Sequence, residues 1–272
     1  MKVLLTGANG FIARNIANHL DTKHTVIRTS RQTLNILDEQ AVTTYLSQNK
    51  IDVVIHSAVS GGRRTQTDGF GVLVDNLKMF DNLLLNKNKF TSLIHFGSGA
   101  EFDRRKDIKM AKETDDSEPV DYYGLSKKII KREIDKTDNF YNLRIFGCFG
   151  ADEKEDRFIK SAIRNVKNNQ KILIHQNRYM DFISIKDVCT TVQHYIENMG
   201  KKDLQRDINL CYTTRVSLLD IANKINALLG KPLKNVEIDH CGLSAEYTGD
   251  GTQLSKLGLQ LDGLDESLKK LI

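Results

Sequence analysis

The chain has 272 residues, of which 40% are hydrophobic and 28% charged, and 40 basic against 35 acidic side chains leave a net charge of +5. That is enough apolar material for one large domain, or for a core domain with an attached lobe, and it excludes a disordered chain. The basic residues are dispersed and tryptophan is absent, so nucleic-acid binding is not expected.

No apolar run approaches the ~18 residues of a membrane span. The opening Met1–Gly7 is too short a run for a signal peptide, so a cytoplasmic location without membrane association is expected. Cys148, Cys189, Cys211 and Cys241 stand far apart with no C-x-x-C pair. They predict reduced, mostly buried thiols, with no metal site and no disulfide framework.

In chain order, Val3-Leu4-Leu5 predicts a strand, and Ile12, Ile16 and Leu20 mark the apolar stripe of a helix. Thr25-Val26-Ile27 predicts a second strand, 39–48 a helix and Asp52–Ile55 a third strand. A helix over 72–87, a strand over Leu93–Phe96, a helix over 123–137 and a strand over Tyr141–Ile145 follow. This alternation predicts a parallel sheet with helices on both faces. Beyond about residue 150 the pattern loosens. It gives a helix near 157–168, a strand at 171–174, a helix near 186–198, a strand at 207–211 and a helix at 217–229. Residues 1–150, with 179–212 returning to them, are expected to form the main domain. Residues 151–178 and 213–272 are expected to form a smaller substrate lobe, with substrate lying toward the carboxyl ends of the strands.

The first strand runs into Thr6-Gly7-Ala8-Asn9-Gly10-Phe11-Ile12-Ala13, spaced Gly-x-x-Gly-x-x-Ala. Gly7 permits a tight turn, Gly10 lets the backbone approach a pyrophosphate, and the small Ala13 lets the helix pack closely on the sheet. Backbone N–H groups from Asn9 through Ile12, at the start of the helix, suit the phosphates. The second strand ends in Arg28-Thr29-Ser30-Arg31, with none of the acid that usually holds a ribose 2′-hydroxyl. Arg28 and Arg31 suit a 2′-phosphate instead, so NADP(H) is the preferred cofactor and NAD(H) the other one open.

Tyr123 and Lys127 are spaced i, i+4 and share one face of a helix. A lysine ammonium there favours the ionised phenol, turning a group that titrates near ~10 into a usable acid or base. Upstream, His95-Phe96-Gly97-Ser98-Gly99-Ala100-Glu101 reads as a strand running into a loop. A hydroxyl at Ser98 can bond the same carbonyl that Tyr123 protonates.

With these features the chain resembles the extended short-chain dehydrogenase/reductase family, also called the NAD-dependent epimerase/dehydratase family. The likeness includes the glycine turn, Asp52–Ala58, Asn76, Ser98, Tyr123 with Lys127, Leu143-Arg144, Met180–Val188 and Gly249–Gly258. It implies a Rossmann-type doubly wound parallel sheet with a smaller C-terminal α/β lobe. The branch it resembles most is that of GDP-fucose synthase and related 4-ketoreductases, through Ile27–Asp38 and Ser57–Gly62. By that likeness Asn35 and Ile36 flank the adenine, Ser57, Ala58 and Val59 border the cofactor, and Ser98, Gly99 and Ala100 face the sugar. The helices at 72–87 and 123–137 would form a homodimer interface. Arg178 is either a partner of a substrate diphosphate or a surface arginine, and Arg63 and Arg64 are candidates for a pocket wall.

The departures narrow the chemistry. Ala100 stands where that branch carries a cysteine for epimerisation, and no histidine lies within 152–165. Gly99 and Ala100 follow Ser98 where the 4,6-dehydratases carry Asp and Glu. Cys148 and Met180 replace the family's Asn and Arg, implying a remodelled sugar pocket. The expectation is NADPH-dependent reduction of the C4 carbonyl of a nucleoside-diphosphate 4-keto-6-deoxy sugar. A UDP-sugar 4-epimerase with tightly held NAD is the alternative, and a non-catalytic NADP(H)-binding regulator a third reading.

Overall fold

The structure is a computed structural model describing residues 1–62, 66–233 and 235–272, so Arg63 and Arg64 lie outside the described residues. The first half alternates as expected: β1 (Lys2–Thr6), α1 (Phe11–Leu20), β2 (Thr25–Arg28), α2 (Glu39–Gln48), β3 (Val53–His56), α3 (Phe70–Leu84) and β4 (Ser92–Ser98). Then come β5 (Ile108–Ala111), α4 (Tyr122–Asp135), β6 (Phe140–Ile145), β7 (Cys148–Phe149), α5 (Phe158–Lys167), β8 (Ile172–Asn177) and β9 (Ile183–Ser184). The chain closes with α6 (Ile185–Asn198), β10 (Asp207–Leu210), α7 (Leu218–Leu228), β11 (Val236–Leu243), β12 (Tyr247–Gly249), α8 (Thr252–Lys256) and α9 (Gly263–Leu271).

The central sheet is parallel, with strand order β10-β6-β4-β3-β1-β2. The chain leaves β1 for β2 on one side and then crosses to β3 on the other. The order therefore reverses at β1 and β3, the position at which open α/β sheets bind ligands. Strand side chains alternate between faces. Leu4, Val54 and Leu93 join Val42, Leu46, Phe80, Leu83, Ile130 and Ile134 of α2, α3 and α4 in one core. On the other face, α1 buries Ala13, Ile16, Ala17 and Leu20, and His19 Nε2 meets Gln193 Oε1 of α6 at 2.7 Å.

The chain divides into two compact units. One comprises Met1–Asp103, Asp116–Arg144 and Cys189–Ile208; the other comprises Arg104–Asp115, Ile145–Val188 and Asn209–Ile272. The second unit holds three short parallel pairs, β8–β11, β5–β12 and β7–β9. Its α5 buries Ile159, Ala162, Ile163 and Val166, and α7 buries Ile221, Ala222 and Ile225.

Two features differ from the sequence reading. Helix α3 begins at Phe70, after Gly69, and ends at Leu84 rather than 87. Asn86 stops it there, its side chain donating to Asn82 O at 2.9 Å and to Thr43 Oγ1 at 3.0 Å. Strands β5, β11 and β12 and helices α8 and α9 carried no signal strong enough to predict them. Strand β11 is exposed along most of its length, so neither of its faces shows an apolar period. Among the described residues no helix is long and apolar enough to cross a membrane. Cys148, Cys189 and Cys211 are buried and Cys241 is exposed, all as free thiols.

Candidate active site

Gly7 leaves β1 with φ +66°, and a Cβ there would lie 2.6 Å from Ala58 Cα, so both conformation and space require glycine. Gly10 caps α1 in an extended conformation without a side-chain cap. The first N–H groups of the helix are therefore left for another partner. Beside this turn lies a cleft of about 350 Å³. Of the residues expected at the cofactor, Gly7, Gly10, Arg31, Asn35, Ile36, Ser57, Ala58 and Val59 line it. Asn9 is exposed in the turn, and Phe11 and Ile12 open α1 half-buried. Arg28 points elsewhere: its Nη2 meets Asp21 Oδ2 at 2.5 Å and Asn18 Oδ1 at 3.0 Å. Arg31 is exposed at the cleft.

Two side chains that no motif singled out as ligand contacts fix the cleft wall. Asn76 of α3 accepts from Ser60 N at 2.8 Å and donates to Ser60 O and Ser126 Oγ, both at 3.0 Å. Asn82 donates to Ile36 O at 2.8 Å. A buried amide of this kind satisfies the loop's backbone where no strand partner exists.

Ser98 ends β4 and caps a one-turn 3-10 helix, Gly99–Glu101. Its Oγ accepts from Ala100 N at 3.1 Å, and Glu101 Oε1 accepts from Ser98 N at 2.9 Å. The Ser98 O–H proton remains available to a further acceptor. Glu101 is held in turn by Arg144, whose Nε donates to Glu101 Oε2 at 2.9 Å and whose Nη2 lies 2.8 Å from Asp207 Oδ2. Burial pushes the Glu101 carboxyl above its ordinary range against the pull of Arg144. Arg144, between two carboxylates, stays fully charged.

Tyr123 and Lys127 sit in the first turns of α4, which Asp121 caps by accepting from Gly124 N at 2.8 Å. A Cβ at Gly124 would run into Ala100 O, so the helix start lies directly against the Ser98 turn. Gly62 approaches the Tyr123 ring from another side, where a Cβ would stand 2.7 Å from Cε2. Lys127 Nζ is 5.8 Å from the Tyr123 ring centroid, donates to Phe96 O at 2.7 Å and meets His95 Nε2 at 3.3 Å. Burial lowers the Lys127 pKa to about 8, with the Glu101 carboxylate opposing it. The structure thus brings Ser98, Gly99, Ala100, Tyr123 and Lys127 together. Burial also lowers His56 to about 3 and His95 well below the usual imidazole value. His56 contacts Thr6 Oγ1 at 3.1 Å through Nδ1 at the end of β3.

In the second unit, the Arg178 guanidinium lies 5.9 Å over the Tyr247 ring, and its Nε is buried with no hydrogen-bond partner. The Asp-Phe segment of this unit is structural. Asp181 accepts from Gly249 N at 2.7 Å, and burial pushes its pKa up to about 7. Asp187 accepts from Asp262 N, Gly263 N and Tyr212 OH.

Residues 3–211 match the profile of the "NAD dependent epimerase/dehydratase family". The chain belongs to this family. A GDP-L-colitose synthase of Yersinia pseudotuberculosis is 32% identical over 262 residues, covering 91% of this chain and 78% of that protein. Among solved structures, a GDP-mannoheptose C4 reductase of Campylobacter jejuni with NADP bound aligns with TM-score 0.81 and 18% identity, over 99% of this chain and 96% of that one. A UDP-N-acetylglucosamine 4-epimerase of Bacillus cereus aligns with TM-score 0.77 and 16% identity, over 100% and 95%. At such identities the structures share the fold of the epimerase/dehydratase family, and reductases and epimerases alike have it. The turn of this family member fits a dinucleotide on its own geometry: a helix start without a side-chain cap, a glycine pressed on the neighbouring strand, and an exposed arginine at the cleft.

Proposed function

We propose that the protein reduces the C4 carbonyl of a nucleoside-diphosphate 4-keto-6-deoxy sugar with NADPH. The observation that carries this reading is the close seating of α4 on the turn that Ser98 caps, where a Cβ at Gly124 would meet Ala100 O and Lys127 Nζ donates to Phe96 O. The relative named GDP-L-colitose synthase supports it. So does Ala100, which leaves no acid or thiol two positions after Ser98 to drive dehydration or epimerisation.

A nicotinamide cofactor bound in the cleft would supply the hydride for the sugar C4. The N–H groups at the start of α1 would hold the pyrophosphate, and Arg31 would hold the 2′-phosphate. Ser98, its Oγ already accepting from Ala100 N, would donate a hydrogen bond to the carbonyl oxygen and fix its direction, keeping its proton. Tyr123 delivers a proton to that oxygen as charge builds on it. Lys127 would stabilise the phenolate that remains and hold the cofactor ribose. Arg178, with its orphaned Nε, is the candidate partner of the substrate diphosphate. We place the enzyme in the cytoplasm as a homodimer formed through α3 and α4, on whose surface Phe70, Val74 and Tyr122 are exposed.

The test offers purified protein NADPH with GDP-, dTDP-, CDP- and UDP-linked 4-keto-6-deoxyhexoses. Stoichiometric loss of NADPH with one of them is expected and names the nucleotide. Interconversion of ordinary UDP-sugars at C4 with no net NADPH loss would replace this reading with that of a 4-epimerase.

A further inference from the structure

Thr6, His56 and His95 form one polar row across three neighbouring strands. Thr6 of β1 is in register with His56 of β3, and His56 with His95 of β4. The two imidazoles lie 5.3 Å apart between centroids, both almost fully buried. Thr6 Oγ1 accepts from Ser57 N and Ala58 N, both at 3.2 Å, so its own proton goes to His56 Nδ1. The row ends at Lys127, whose Nζ is 3.3 Å from His95 Nε2.

The proton positions on His95 follow from its neighbours. An ammonium has donors only, so the nitrogen facing Lys127 must offer a lone pair, and the ring proton sits on Nδ1. That Nδ1 is buried with no hydrogen-bond partner. An unsatisfied buried donor is costly to keep. A phenyl ring at this place could keep the edge-on contact that His95 now makes with Phe80 at 6.1 Å and would carry no unsatisfied donor of its own. What the imidazole gives in return is one acceptor, placed on the lysine. Because Nδ1 bonds to nothing, the row is no proton wire.

We propose that His95 is a positioning residue for Lys127, accepting one N–H of its ammonium so that the group stays charged and aimed while buried. The proposal rests on the reading of Lys127 as the lysine that serves Tyr123. Phe96 O takes a second N–H at 2.7 Å, leaving one donor for the cofactor ribose. The charged and titratable groups around the ammonium are Glu101 on the 3-10 turn, His95 on β4, His56 on β3 and Tyr123 on α4. Of these, Glu101 supplies attraction at a distance and His95 supplies a direct acceptor. Since burial already brings Lys127 to about 8, losing that acceptor should carry it into the neutral form near working pH.

The test is a ¹³Cε-lysine NMR titration of the cofactor-free protein, with Lys127→Met assigning the signal. Three variants are compared: His95→Phe, His95→Met as a second side chain without an acceptor, and His95→Gln, whose amide oxygen restores one. The Lys127 midpoint should fall by about one pH unit in His95→Phe and His95→Met and return close to the starting value in His95→Gln. The alkaline limb of kcat/KM should move to lower pH by the same amount in the first two and recover in the third. An unchanged midpoint in the variants without an acceptor would overturn the proposal and leave His95 as packing. The titration needs no substrate, so it decides the role of His95 even if no sugar nucleotide is turned over.

Discussion

Arg28 and Arg31 lie three residues apart, and their surroundings separate them. Arg28 closes an ion pair with Asp21 and a hydrogen bond with Asn18, whereas Arg31 stands at the cleft. Arg31→Ala should therefore weaken NADPH binding about 10- to 100-fold, the worth of a hydrogen bond between charged groups, and leave NADH binding unchanged. Arg28→Ala should change neither. Fluorescence titration with both cofactors checks this, and equal losses for NADPH and NADH in Arg31→Ala would contradict it. At this scale the sequence was informative where spacing is short. Tyr123 and Lys127 are one helical turn apart, so a stripe of four residues sufficed to pair them. It could not separate Arg28 from Arg31, because the partner of Arg28 is set by how α1 ends. It also gave no reason to select His95, which sits in a run of buried strand residues and whose link to Lys127 crosses 32 positions.

At the scale of elements, the seating of α4 on the Ser98 turn holds the candidate site together. Gly124 permits it, since any side chain there would displace Ala100 O. Gly124→Ala should cost about 1–3 kcal/mol of stability through overpacking. It should also reduce kcat by at least tenfold through misplacement of Ser98 relative to Tyr123, with little change in cofactor affinity. Thermal melts and steady-state kinetics measure both, and a variant with unchanged kcat would show that this contact does not set the geometry. The turn's own support was not readable beforehand. Only the fold brings Glu101 to Arg144, which also holds Asp207. The parallel sheet itself was legible because each strand was a short apolar run followed by a periodic helix. Strands β5, β11 and β12 were not, because their pairings join distant segments and β11 buries little.

Across the whole molecule, two buried histidines of the first unit and two buried acids of the second respond to pH with opposite signs. In the first unit His56 and His95 stay neutral when folded, His56 down to about 3, but unfolded they bind protons near 6.5. At these two sites the unfolded form holds more protons in that window, so the stability that the neutral histidines contribute is lost as pH falls from about 6.5 toward 3. In the second unit burial raises Glu153 and Asp181 to about 7, from 4.5 and 3.8 when unfolded. There the folded form holds more protons, and stability rises as pH falls from about 7 toward 4. Hydrogen exchange at pH 7 and 5, corrected for intrinsic rates, should show protection falling in β3 and β4 and rising around Met180–Ser184 and Tyr247–Gly249. Parallel changes in both units would contradict the assignment. Hydride transfer to the sugar C4 with Tyr123 as proton donor is tested with NADPH deuterated at the transferred position of nicotinamide C4. NMR of the product should show deuterium at sugar C4, and Tyr123→Phe should slow its appearance by about 100- to 10,000-fold while NADPH still binds. Deuterium left on the cofactor while the sugar is inverted at C4, or an undiminished rate in Tyr123→Phe, would contradict the account.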